Sequence, residues 1–130
     1  MVSHQNIIAN VEQSLFMRKL EQPWPEDSAP AERWLGFLPL YLAYGQLWSI
    51  TAAAVNLTPC YIMRTFNWQQ WLTHVQNHKI THFQTAPPIL VMLAKRPETK
   101  NYDLSSLVNI LSGGAPLSME LQNEVSDNLG

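Results

Sequence analysis

Leu107-Val108-Asn109-Ile110-Leu111 runs into Ser112-Gly113-Gly114-Ala115-Pro116, and that into Leu117-Ser118-Met119-Glu120. The first stretch is short, mostly apolar and bounded by turn residues, which predicts a buried strand. The second is a turn, since glycine and proline interrupt both helix and strand. In the third, Ser118 predicts an N-cap, and Glu120 falls in the first helical turn, where a carboxylate complements the helix dipole. Strand, turn and helix in that order make half of a βαβ unit.

The same alternation extends upstream. Ile80 to Thr85 predicts a strand, and Pro87-Pro88 opens a helix over Ile89 to Lys95, because proline suits a first helical turn. Cys60-Tyr61-Ile62-Met63 predicts a strand, and Asn67 caps a helix with Trp68, Trp71, Leu72 and Val75 on one face. Trp34-Leu35-Gly36-Phe37-Leu38 predicts another strand, followed by a helix from Ala43 to Leu57. Near the start, Ile7, Ile8, Val11, Leu15 and Phe16 fall at helical spacing behind Ser3 as cap, and the proline- and charge-rich residues 21–33 predict a surface loop. The expected fold is α/β, a partial parallel sheet of four short strands with alternating helices. With right-handed crossovers, the turns around Gly45 and Gly113 should emerge at the same end of the sheet.

Composition narrows the classes. The 130 residues are 46% hydrophobic but only 14% charged, well below the usual charged share of about 25%. So little charge is unusual for a small domain with much surface, and it suggests a fragment of a larger interior. The net charge of −2 and pI near 6.0 give no basic footprint for nucleic acid. The weakly charged stretch Trp34 to Met63 is broken by Gly36, Pro39, Gly45 and Pro59, so no membrane span is expected. The start, Met1-Val2-Ser3-His4, does not read as a signal sequence, and a single cysteine, Cys60, has no internal disulfide partner. A reduced, cytoplasmic compartment is the simplest expectation.

Four groups of residues invite a chemical reading. Gly113-Gly114 at a strand exit lets a flat ligand approach the main chain, although taken alone a plain tight turn explains it. Tyr41, Tyr44 and Gly45 follow another strand and could line a pocket for an aromatic or fatty acid; the plainer reading makes both tyrosines half-buried core residues. His74, His78 and His82 sit four apart, but no carboxylate or cysteine supplies a near further ligand, so no metal site is expected. His74 and His78 are read as a solvated helix surface, with His82 pointing elsewhere, and Cys60 as a small core residue. No Gly-x-Ser-x-Gly elbow supports a serine hydrolase.

Several pieces occur together in one family. Ser3-His4-Gln5-Asn6, Leu35-Gly36-Phe37-Leu38-Pro39-Leu40-Tyr41, Ala43-Tyr44-Gly45-Gln46, Pro87-Pro88-Ile89-Leu90, Tyr102-Asp103-Leu104-Ser105-Ser106-Leu107 and Leu111 to Ser118 appear in order. Over essentially the whole chain the sequence resembles the acyl-activating, adenylate-forming (AMP-binding) enzymes: 4-coumarate–CoA ligases, acyl-CoA synthetases and firefly luciferase. It looks closest to the 4-coumarate–CoA ligase-like proteins of fungi, and secondary metabolism is the setting this suggests.

The resemblance implies activation of a carboxylic acid by ATP to an acyl-adenylate, then transfer of the acyl group to CoA, with Mg and AMP in the cycle. It implies that Gly114, Ala115 and Pro116 border the nucleotide, and that Tyr44, Gly45 and Gly113 border the acyl pocket. Residues 1–130 would then be a partial adenylation domain from the large N-terminal domain. The family's glycine-rich phosphate loop, its Tyr-Gly-x-Thr-Glu block, its ribose-binding aspartate and its C-terminal domain with the catalytic lysine have no counterpart in these residues. Leu42 stands where most relatives carry histidine. No catalytic residue is therefore assigned; the chain alone is expected to be inactive and to bind ATP, AMP, Mg and CoA poorly. A peroxisomal address, where relatives have one, lies at a C-terminus not represented here. The alternative expectation is a non-enzymatic interaction module or remnant that self-associates or pairs through open sheet edges.

Overall fold

The computed structural model describes residues 2–21 and 31–129. The loop expected over residues 21–33 falls largely outside them. Helix α1 spans His4–Glu21, and strand β1 spans Trp34–Gly36. Helix α2 (Ala43–Gln46) continues through a π-helical stretch, Leu47–Ala52, into α3 (Ala53–Val55). Then come β2 (Cys60–Ile62), α4 (Trp68–His78), β3 (His82–Thr85), α5 (Pro87–Lys95), a 3₁₀ segment (Pro97–Asn101), β4 (Asn109–Ser112) and α6 (Met119–Leu129).

All four strands are parallel, in the order β2-β1-β3-β4. The expected strands are all present; the first three are shorter because their outer residues leave the ladder for loops, and the fourth is shifted, since Leu107 and Val108 lie outside it while Ser112, expected in the turn, pairs with Thr85. The expected caps form: the Asn67 side chain accepts from the Gln70 N–H at 3.0 Å, and Ser118 Oγ accepts from the Leu121 N–H at 3.2 Å. Ser3 Oγ likewise accepts from the Asn6 N–H at 3.2 Å.

Strand alternation divides the core between the two faces of the sheet. On one face Leu35 and Phe83 meet Trp68, Trp71, Leu72 and Val75 of α4 and Leu90 and Leu93 of α5. The Phe83 ring stands edge-on to Trp71 with centroids 5.0 Å apart, a favourable quadrupole geometry. On the other face Trp34 meets Trp48, Ala52, Ala53 and Val11. The helices after β1 therefore cover one face, and those after β2 and β3 cover the other. The chain switches direction between β1 and β3, and at such a point the crevice beyond the strand ends is open to a ligand.

Two expectations need correction. In α1 only Val11 is fully buried, while Ile8 and Phe16 are each 62% exposed. The stripe that touches the π-helical stretch runs through Ile7, Val11 and Leu15; Phe16 lies roughly 140° round the helix from Val11 at 100° per residue. The helix expected from Ala43 to Leu57 ends at Val55, and Leu57 takes a left-handed φ of 51°. Its π turn is wedged by Thr51, whose hydroxyl donates to the Leu47 carbonyl at 2.7 Å, a side-chain bond of the kind that opens a helical ladder. No helix among the described residues is long and apolar enough to cross a membrane.

Candidate functional site

The loops that leave β1 and β4 meet at the carboxyl end of the sheet. Beyond β1 the chain crosses Pro39 to Leu42 and enters α2, which sets Tyr44 over the sheet end. The Leu42 N–H donates to the Pro39 carbonyl at 3.1 Å, and the Gln46 N–H to the Leu42 carbonyl at 2.9 Å, so the hook is held by main chain. Gly45 is buried inside it: a Cβ there would lie 2.4 Å from the Pro39 carbonyl oxygen.

Tyr44 reaches across to β4. Its hydroxyl donates to the Leu111 carbonyl at 2.9 Å. Burial pushes its pKa up to about 12, so the phenol remains a protonated donor at neutral pH. A Cβ on Gly113 would lie 2.9 Å from Tyr44 Cζ and 3.0 Å from its hydroxyl. The bare main chain at 113 is thus what lets the ring lie down on the strand exit. The Gly113 N–H still serves the sheet, donating to the Thr85 carbonyl at 2.9 Å.

Gly114 has φ +80°, a conformation that favours glycine, and nothing lies within 4 Å of where its Cβ would be. Ala115 and Pro116 are exposed beside it. Of the six residues singled out from the sequence, Tyr44 and Gly113 are in contact, Gly45 shapes the hook that carries Tyr44, and 114–116 form an open rim next to them. Tyr41, expected to be half-buried, is 87% exposed, and Leu42 is 51% exposed.

Beneath α1 the second face of the sheet holds a cavity of about 320 Å³. His82 and Gln84 of β3 and Trp48 form its buried floor; Asn109 and Leu111 of β4 and the polar residues of α1 complete it. Sequence reasoning set His82 aside and did not consider Gln84. Two polar side chains at alternate positions of an otherwise buried strand, His-Phe-Gln, were the signal available. His82 Nδ1 lies 2.8 Å from Thr81 Oγ1. Burial drives its pKa down from 6.5 to about 4; Glu32 opposes this and Arg18 adds to it.

That shift has a consequence for stability. The folded state resists protonation of His82, so the unfolded chain binds the extra proton first as pH falls. The contribution is complete above pH 6.5 and is lost progressively down to about pH 4, with a size on the order of 3 kcal/mol. Urea midpoints measured across that range should fall for the parent chain and fall less for His82→Gln. Equal slopes for the two proteins would remove the assignment.

Among the described residues no group of three His, Cys, Asp or Glu could hold a metal ion. His74 and His78 are half-buried rather than freely solvated: their rings stack 5.5 Å apart, and His78 stacks on Tyr61 at 4.3 Å. Cys60 is half-buried against the Trp34–Trp48 cluster, and burial pushes its thiol pKa up.

A parallel sheet covered on both faces, with two strand-exit loops closing on one another at its carboxyl end, defines the class of α/β folds that offer a ligand crevice beyond the strand ends. Comparison with known proteins agrees. The AMP-binding enzyme family matches residues 1–130, and the chain belongs to that family.

A 4-coumarate–CoA ligase of potato, Solanum tuberosum, is 39% identical over 89 residues, 68% of this chain and 16% of that protein. A long-chain-fatty-acid–CoA ligase of Bacillus subtilis is 33% identical over 126 residues, 95% of this chain and 21% of that protein. The chain therefore spans about a fifth or less of the length of these curated relatives. The red-emitting luciferase of Phrixothrix hirtus superposes with a TM-score of 0.81 at 28% identity, covering 98% of this chain and 29% of the luciferase. The o-succinylbenzoate–CoA synthetase of Bacillus subtilis, solved with AMP, shares the fold with a TM-score of 0.69 at 22% identity, over 92% of this chain and 28% of that one.

Proposed function

We propose that this chain carries the acid- and nucleotide-facing strand exits of an ATP-dependent carboxylic acid–CoA ligase. In that activity the acid is joined to AMP with release of pyrophosphate, and the acyl group then passes to the CoA thiol. Gly114, Ala115 and Pro116 would border the adenine and ribose, and Tyr44, Gly45 and Gly113 the acyl group. The observation that carries this reading is the contact of the Tyr44 phenol with the bare backbone of Gly113. It joins two loops 69 positions apart into one wall beside the open rim at Gly114.

The chemistry of the donors fits binding rather than bond-making. The rim offers main chain and a flat approach, which suits a purine, and Tyr44 offers an aromatic side, which suits an acyl group. Among the described residues no group of three His, Cys, Asp or Glu is placed to hold a metal ion, so no metal step is drawn through these residues.

Saturation-transfer NMR with AMP and with cinnamate tests the assignment. Weak binding is expected, with Kd of about 1 mM, equivalent to only ~4 kcal/mol. Gly113→Val must push the Tyr44 ring away and break its bond to Leu111, so cinnamate binding should weaken about tenfold, the equivalent of ~1.4 kcal/mol. Near-ultraviolet circular dichroism establishes that the variant is folded. Unchanged cinnamate binding in a folded Gly113→Val protein would refute the acyl-wall role.

A further inference from the structure

Strand β4 forms one edge of the sheet, and β2 forms the other. The main-chain bonds of β4 show which of its groups are already used. The Asn109 N–H donates to the Thr81 carbonyl at 3.1 Å, and the Gly113 N–H to the Thr85 carbonyl at 2.9 Å. The register of His82 with Asn109 and of Gln84 with Leu111 puts Leu111 in the same row. By the two-residue period of a strand, Ile110 and Ser112 turn their N–H and C=O groups away from β3, to the open side. Sheet edges are commonly protected by a lysine, a proline or a very short strand. Edge β2 has three residues, with Pro59 before it and Arg64 two beyond. Edge β4, Asn109-Ile110-Leu111-Ser112, carries neither charge nor proline.

Beside this edge lies a second cavity, of about 630 Å³, lined by β4 and α6. Ile110 and Ser112 contribute from the strand, and Leu117, Val125 and Leu129 from the turn and helix that follow. No residue that lines it is charged. A charged occupant would lose its hydration there and find no partner, so the groove suits a neutral one. Ser112 adds a second demand. Its Oγ is buried and has no hydrogen-bond partner among the described residues. A buried hydroxyl left unpaired is costly, and an occupant that bonds to it removes the cost. The outward main-chain groups and this hydroxyl thus lie along one four-residue strand, about 13 Å long.

We propose that the open edge of β4 binds an extended, uncharged peptide segment, which adds to the sheet as a fifth strand. The main chain supplies the affinity, through the N–H and C=O groups of Ile110 and Ser112. Side chains supply the selection. Ile110 and Ser112 are two apart and share one face of the sheet, so they meet two residues of the guest that are also two apart. A β-branched apolar residue beside Ile110 extends the apolar lining of the groove. A threonine two positions along can pair its hydroxyl with that of Ser112, since each can donate and accept. This surface uses neither Tyr44 nor the rim at Gly114, so it stands or falls apart from the acyl wall.

The test is amide hydrogen exchange of the full 130-residue chain, followed by NMR, with the capped peptide acetyl-Thr-Val-Thr-Thr-Thr-Val-amide as probe. Saturating peptide should slow exchange at Ile110 and Ser112 about tenfold and leave Leu111, which faces β3, unchanged. The fully N-methylated peptide should protect neither amide. Ile110→Pro removes one outward N–H and keeps the bonds to β3, because proline is tolerated at a sheet edge. It should weaken binding about fivefold, the loss of one hydrogen bond. Ser126→Lys, at an exposed position of α6 that lines the groove, introduces a charge and should weaken binding by a similar factor. If Ile110→Pro does not give a native near-ultraviolet circular dichroism spectrum, unchanged affinity in Ser126→Lys overturns the proposal. A folded Ile110→Pro protein that binds as tightly as the parent also overturns it, as does a peptide that protects neither amide. Protection of both amides without peptide, growing with protein concentration as a dimer forms, gives the edge to a second copy and overturns the peptide assignment.

Discussion

Gly45→Ala is expected to destabilise the chain by about 3 kcal/mol, although alanine inside a helix normally stabilises by ~1 kcal/mol relative to glycine. The sign reverses because of what the new methyl would meet. It would lie 2.4 Å from the Pro39 carbonyl oxygen, 3.0 Å from the Pro39 carbonyl carbon and 3.2 Å from the Leu38 carbonyl oxygen. All three are backbone atoms, so no rotamer change relieves the overlap. Overpacking a tight site usually costs ~1–3 kcal/mol, and here the loop must also give up the Leu42-to-Pro39 and Gln46-to-Leu42 bonds to move. Urea denaturation of the two proteins measures the effect. A Gly45→Ala protein as stable as the parent, or more so, would mean that the hook bends freely and does not hold Tyr44 in place. Ala54→Gly, at an exposed position of α3, gives the ordinary helix cost for comparison.

The hook also shows where the sequence was readable and where it was not. Helix α4 could be read residue by residue because its signals are local: a cap at Asn67 and an apolar stripe through Trp68, Trp71, Leu72 and Val75. Parallel strands were legible for the same reason, since short apolar runs between helices admit few other arrangements. The strand order was not, because it depends on which face each crossover helix chooses, and that choice rests on contacts between distant residues. The Tyr44–Gly113 contact follows from that order. Sequence reading placed both residues at strand exits but could not place one against the other. The π turn had no sequence signal either, since Thr51 bends the helix only through the rotamer that reaches Leu47. The buried face of α1 was misjudged at its edge because the helix leans on that π turn, which shifts the stripe toward Ile7, Val11 and Leu15.

The cavity floor is a different case. His82 and Gln84 stood in view as polar residues in a buried strand. As a metal ligand His82 is excluded by the lack of a near third ligand and by its place in the strand after α4, but that leaves its burial unexplained. A polar side chain in a strand covered on both faces asks for a partner, whatever the spacing. The hydrogen-bonding need of the Gln84 amide is thus a signal in the sequence itself for this face of the sheet.

The 130-residue chain is expected to show no acid-dependent exchange of pyrophosphate into ATP, the partial reaction that reports adenylation. Phosphoryl and adenylyl transfer rely on positioning and on preorganised charge around the phosphates. These residues hold no Ser/Thr/Gly-rich run ending in lysine. The Gly113–Gly114 exit offers main chain but no cationic side chain of its own. At the one place where the family resemblance leads one to expect a histidine, Leu42 is 51% exposed and its side chain has no polar atom to donate or accept a hydrogen bond. Loss of a single preorganised donor typically costs ~10²–10³ in rate. Several missing together put the exchange below detection, even if acid and AMP both bind at the millimolar level. The assay should run cinnamic, benzoic and medium-chain fatty acids against a no-acid blank. Exchange above the blank that Gly114→Trp abolishes would show that phosphate stabilisation comes from groups within this chain, and the binding-only account of the strand exits would have to be given up.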